Sequence, residues 1–167
     1  LAFSVAQAAN ISKDEYKAGK TRISADYKAD RKACDASTAN AKDSCVEEAK
    51  AKEKVTRAEL EYSYTGKAKD QTEIAVVKAK STYAVAKEKC DDMTGNAKDV
   101  CVKEAKAVET KALADAKMSK KVGAAAVDSA EAKNDANYKL ATEKCDAMTG
   151  DAKASCIADA KTKFLKK

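Results

Sequence analysis

Six cysteines and no histidine frame the chemistry open to this chain of 167 residues. A serine or cysteine nucleophile needs a base beside it, and the usual one is missing. Zinc sites want cysteines a few residues apart or joined by histidines. Here the cysteines come in pairs eleven residues apart: Cys34 and Cys45, Cys90 and Cys101, Cys145 and Cys156. Calcium loops of alternating acids closed by glycine do not occur. Carboxylates such as Glu47, Glu48, Asp91 and Asp92 alternate with lysines at helical spacing and read as a solvated face. What remains for the thiols is disulfide formation in an oxidising compartment. The expectation is a non-enzymatic protein with no cofactor and no metal site.

What places the cysteines is an internal repeat of about 55 residues. Tyr27, Tyr83 and Tyr138 each stand seven positions before the first cysteine of a pair, and Asp35, Asp91 and Asp146 directly follow it. Inside the intervals lie Thr38-Ala39-Asn40-Ala41-Lys42, Thr94-Gly95-Asn96-Ala97-Lys98 and Thr149-Gly150-Asp151-Ala152-Lys153. Gly95 and Gly150 suit the left-handed conformation that ends a helix, and Asn40, Asn96 and Asp151 are suitable N-caps for the next one. Repeat 1 has Ala39 where glycine is expected, and repeat 3 has Ala154 where aspartate is expected. Each unit therefore reads as an αα-hairpin, with turns near 35–44, 91–100 and 146–155. The two cysteines of a pair lie at similar distances either side of the turn, so antiparallel arms bring them level. This predicts the bridges Cys34–Cys45, Cys90–Cys101 and Cys145–Cys156, each contributing about 3 kcal/mol through restriction of the unfolded chain. Tyr27, Tyr83 and Tyr138, one heptad before the first cysteine, share its helical face and are expected to pack beside the bridges.

The elements that carry these elbows must be helical. There is no proline and no tryptophan, only five glycines, and 36% of residues are charged. About half the chain is alanine, lysine, glutamate, arginine and leucine, the composition of long helices. The 33 cations nearly balance the 27 anions, leaving +6, which argues for order over disorder. A 3.5-residue register runs from Cys45 to Cys90 through Ala51, Val55, Ala58, Tyr62, Val76, Ala79, Tyr83 and Ala86, thinning at Thr65, Lys69 and Thr72. Register continuity favours unbroken rods over 46–89 and 102–144, with Gly66 and Gly123 as the places where breaks would instead produce stacked short hairpins. The expected fold is all-α, an elongated antiparallel bundle of long helices built from the three stapled hairpins. Its flanking helices are too short to cover a full-length rod, which leaves alanine and valine seams for a second copy to cover.

Residues 1–8 end in Ala6-Gln7-Ala8 and resemble the tail of a secretory signal peptide; if retained, Leu1, Phe3 and Val5 form an apolar peg. Residues 9–167 are read as a single helical-repeat domain. No stretch has the length and apolarity of a transmembrane helix. Lys50-Ala51-Lys52 and the cluster Lys161, Lys163, Lys166 and Lys167 could meet anionic polymers of an envelope, with nucleic acid not expected after export.

The segment from Tyr83 to Cys101, with the blocks Cys-Asp-x-Met-Thr-Gly-Asn/Asp-Ala-Lys and Cys-Val-x-Glu-Ala-Lys, resembles secreted proteobacterial proteins often labelled TolA-like cell-envelope proteins. The label reflects an Ala/Lys/Glu-rich helical composition, so the resemblance implies a periplasmic or extracellular location and a shape, not a mechanism. The functional expectation is an exported structural or scaffolding protein that self-associates and touches other envelope proteins or anionic polymers. The alternative is a periplasmic holdase-type chaperone or carrier that binds unfolded clients or acidic ligands on an amphipathic surface.

Overall fold

The computed structural model describes residues 10–164; the signal-like residues 1–8 and the terminal Lys166 and Lys167 lie outside them. Five helices follow one another: α1 (Lys13–Ala33), α2 (Ala39–Thr65), α3 (Ala68–Cys90), α4 (Gly95–Cys145) and α5 (Gly150–Phe164), with a single 3-10 turn at Cys34–Ala36 between α1 and α2. No strand occurs among the described residues, and the fold is all-α with three disulfides. The residues group into two compact units, one running through 120 and the other from 121.

The first unit is an antiparallel helical bundle. α1 opens on a capping box in which the Ser12 hydroxyl accepts from the Glu15 N–H at 3.2 Å and the Glu15 carboxylate accepts from the Ser12 N–H at 2.8 Å. That bond holds the Glu15 carboxyl below its usual value. α1 then runs back along α2: Tyr16 donates to Glu61, Arg57 reaches Ser24 at 3.0 Å, and Lys52 meets Asp30 at 2.7 Å. The Tyr16 ring stacks on Tyr64 with centroids 4.4 Å apart. Gly19 is buried against α2, where a Cβ would lie 2.7 Å from a Leu60 methyl. α2 and α3 are likewise antiparallel, joined across their length by Lys78 to Glu59 and Lys89 to Glu48, both at 2.7 Å.

The register from Cys45 to Cys90 does not continue as one rod. Gly66 takes a left-handed φ of 62° and ends α2, its N–H donating to the Tyr62 carbonyl at 2.8 Å. Thr65 donates to the Asp70 carboxylate across the turn, and the Ile11 N–H donates to the Ser63 carbonyl at 3.0 Å, tying the entry of α1 to this bend. The matching segment behaves differently: α4 runs 51 residues without interruption, and Gly123 is absorbed into it. A glycine inside a helix costs about 1 kcal/mol. Val122 and Ala124-Ala125-Ala126 are its neighbours there, and three alanines offset that cost in a way that Thr65 and Lys67 around Gly66 do not.

In the second unit, α5 lies against the end of α4. Cys145 and Ala160 are buried and Tyr138, Ala141 and Thr142 half-buried, whereas every residue from 121 to 137 is exposed. With so few large aliphatics, the bridges themselves form much of the core: Cys34, Cys90 and Cys145 are the most deeply enclosed side chains, each 1% exposed or less.

Candidate functional site

Each elbow is built to the same plan. Cys34–Cys45, Cys90–Cys101 and Cys145–Cys156 are bonded, with Cα atoms 5.6, 5.7 and 5.7 Å apart, inside the range a disulfide requires. An ion pair crosses every turn beside the bridge: Asp35 to Lys42 at 2.9 Å, Asp91 to Lys98 at 2.7 Å and Asp146 to Lys153 at 2.9 Å. Sequence reasoning noted both residue types but not their pairing; the signal was their constant separation of seven residues across all three turns. The hydrogen bond from Lys42 holds the Asp35 carboxyl below its ordinary value, and the Asp91 carboxylate raises the Lys98 ammonium.

The backbone bend at each elbow falls on one residue with positive φ: Ala39 at 49°, Gly95 at 56° and Gly150 at 59°. These residues also begin α2, α4 and α5, so the expected N-caps need correction. Thr38 precedes α2, without a side-chain cap bond, and Asn40 lies inside the first turn, where its amide donates to the Asp92 carboxylate at 2.9 Å. Asn96 and Asp151 also fall inside their helices, second in order after the left-handed glycine. Asp151 still places negative charge in the first turn of α5, where the helix dipole favours it.

Tyr27, Tyr83 and Tyr138 are all half-buried. Around Tyr83 the structure resolves a small network: the Lys106 ammonium sits 4.8 Å from the ring centroid and 2.6 Å from the Glu109 carboxylate, which is buried. The Glu109 bond raises the Lys106 ammonium, so the enclosed carboxylate retains a compensating charge. In repeat 1 the corresponding Lys50 is bonded to Glu47 at 2.9 Å and is raised for the same reason.

Among the concave surfaces of the first unit, two are roomy. A groove of about 550 Å³ between α2 and α3 has Ala51, Val55, Val85 and Ala86 along its floor and Lys52, Lys78 and Lys89 at its rim. A cavity of about 410 Å³ between α3 and α4 joins Val76 and Leu113 to Lys69, Lys117 and Lys120, with Asp70 and Glu73 also lining it. The second unit instead presents a convex apolar face. Val122, Ala125, Ser129, Ala132 and Ala136 repeat every three or four residues along α4, all exposed, with Leu140 following one turn on. Val122 is 64% and Leu140 56% exposed, values at odds with their apolarity unless something covers them.

No group of three or more Cys, Asp or Glu among the described residues is placed to hold a metal ion. No helix among the described residues is long and apolar enough to cross a membrane. No protein-family model, curated protein or solved structure matches the chain. The disulfides place the chain in an oxidising environment.

Proposed function

We propose that the protein is an exported, non-enzymatic structural or scaffolding component of a bacterial envelope or extracellular space, and that it self-associates through helical seams its own chain leaves uncovered. One observation carries this reading: the apolar face of α4 from Val122 to Leu140, exposed over about five turns of helix. In folded proteins most of a helix's stability comes from packing an amphipathic face of this kind. The disulfides support the exported location, and the likeness to TolA-like envelope proteins agrees with it. Sedimentation velocity of the oxidised chain tests the proposal. Concentration-dependent association supports it; a monomer at every concentration up to the millimolar range sinks it.

A carrier of acidic ligands is the second reading, favoured by the cavity that sets Lys69, Lys117 and Lys120 beside Val76 and Leu113. Saturable binding of an anionic amphiphile by a monomeric chain would select it over the scaffold.

A further inference from the structure

We propose that Tyr16 and Tyr64 form a covalent cross-linking site, their rings coupled to each other when a haem peroxidase supplied with hydrogen peroxide oxidises them. The link is made within one chain and does not depend on self-association. Of the six tyrosines, only these two have their rings in aromatic contact among the described residues. The centroids lie 4.4 Å apart with the planes 17° from parallel, at the close end of the separations aromatic pairs adopt. Tyr16 stands in the first turn of α1 and Tyr64 in the last turn of α2. Helix ends open at the least cost, so the backbone there yields to the small rotations that bring two ring edges together. Both residues are half-buried, which leaves them open to a surface oxidant. Tyr62, two positions from Tyr64, lies on a different side of α2 and does not share the stack.

The side chains around the stack suit the chemistry. Tyr16 donates its hydroxyl to the Glu61 carboxylate, and this bond raises the phenol above its ordinary value, so it is protonated at neutral pH. The Lys20 ammonium, 4.7 Å from the Tyr16 centroid, disfavours a ring that carries positive charge. The electron therefore leaves Tyr16 together with the hydroxyl proton, which Glu61 receives. Tyr64 gives up its own electron to the oxidant and its proton to water. The two neutral radicals pair their electrons in one carbon–carbon bond between ring positions ortho to the hydroxyls. Each ring hydrogen displaced there returns to its phenol oxygen. The balance is two electrons and two protons lost by the pair, with one hydrogen peroxide reduced to two waters. The Cys34–Cys45 bridge already closes one end of the α1/α2 pair. The new bond closes the other end, and thiols do not break it.

The test treats the full disulfide-bonded chain, at about 1 µM, with a haem peroxidase and hydrogen peroxide. At that dilution a ring held in contact has an effective concentration of at least about 1 mM, roughly a thousandfold above a ring on another chain. The expected product is a monomer lighter by two hydrogens with dityrosine fluorescence, whose tryptic digest joins the peptide Asp14–Lys17 to Ala58–Lys67. Tyr16→Phe and Tyr64→Phe should each lower the yield at least about tenfold, and Tyr62→Phe should leave it as in the parent. Circular dichroism and the urea midpoint check that each variant keeps its fold. Links formed only between chains, links anchored on Tyr27, Tyr83 or Tyr138, or an undiminished yield in Tyr16→Phe would overturn the proposal. So would a parent chain that gains no dityrosine while free tyrosine in the same tube couples.

Discussion

Ala39 gives the sharpest test of how the elbows are built. It holds φ at 49°, the conformation that Gly95 and Gly150 adopt at 56° and 59° in the other two elbows. An L-residue with a Cβ is disfavoured there by roughly 1–2 kcal/mol. Glycine removes that strain but loses about 0.4–1 kcal/mol through greater freedom of the unfolded chain. Ala39→Gly should therefore stabilise by about 0.5–1 kcal/mol, and Gly95→Ala should destabilise by a similar amount. Nothing lies within 4 Å of a Cβ built on Gly95 or Gly150, so the substitutions there report backbone conformation without steric interference. The assay is thermal and urea unfolding with the bridges intact, where the shift in Tm is about 1–4 °C. Gly150→Ala should act on the unit from 121 onward, and Ala39→Gly on the unit through 120. The reasoning fails if Ala39→Gly lowers stability or if Gly95→Ala raises it.

Removing one bridge as a cysteine-to-alanine pair, such as Cys90→Ala/Cys101→Ala, should cost about 3 kcal/mol, read from the urea midpoint against the oxidised parent. Gly19→Val should destabilise by about 1–3 kcal/mol by driving a side chain into Leu60, and Leu60→Ala in the same chain should recover part of that loss in a double-mutant cycle. Asp35 is held below the ordinary 3.8 by Lys42, so its pair contributes stability above that pH, which is lost as pH falls through the folded value; Asp35→Asn should flatten this acid limb of the stability curve. Tyr16 is raised above 10.0 chiefly by its hydrogen bond to Glu61, and Glu61→Gln should return it towards 10 in an NMR titration of labelled tyrosine rings, an unchanged value counting against the contact.

The pairing of the cysteines was legible because turn chemistry and equal arm lengths leave one arrangement that needs no long loop. Helicity was legible from composition alone. The break at Gly66 was not: Thr65, Lys69 and Thr72 thin the register beside it, but its continuity on either side argued for a rod there, whereas Gly123 lies among Val122 and Ala124-Ala125-Ala126 and stays helical. Bonds that only the folded chain assembles also fix the bend at Gly66: the Thr65 hydroxyl donates to the Asp70 carboxylate, and the Ile11 N–H to the Ser63 carbonyl. The caps were misplaced by one or two residues for a related reason. Residue type marks a good cap, but the left-handed residue before it already begins the helix at Ala39, Gly95 and Gly150. The Glu109 and Lys106 network beneath Tyr83 has no sequence signature, since a Lys-x-x-Glu step on any exposed helix looks the same.

Because every cystine joins residues only eleven positions apart, no cross-link has to wait for a distant part of the polypeptide. Each thiol meets its proper mate within a loop that closes on a timescale far shorter than synthesis of the next segment. Oxidation can then proceed hairpin by hairpin from the leading end, and shuffled isomers have little opportunity to accumulate.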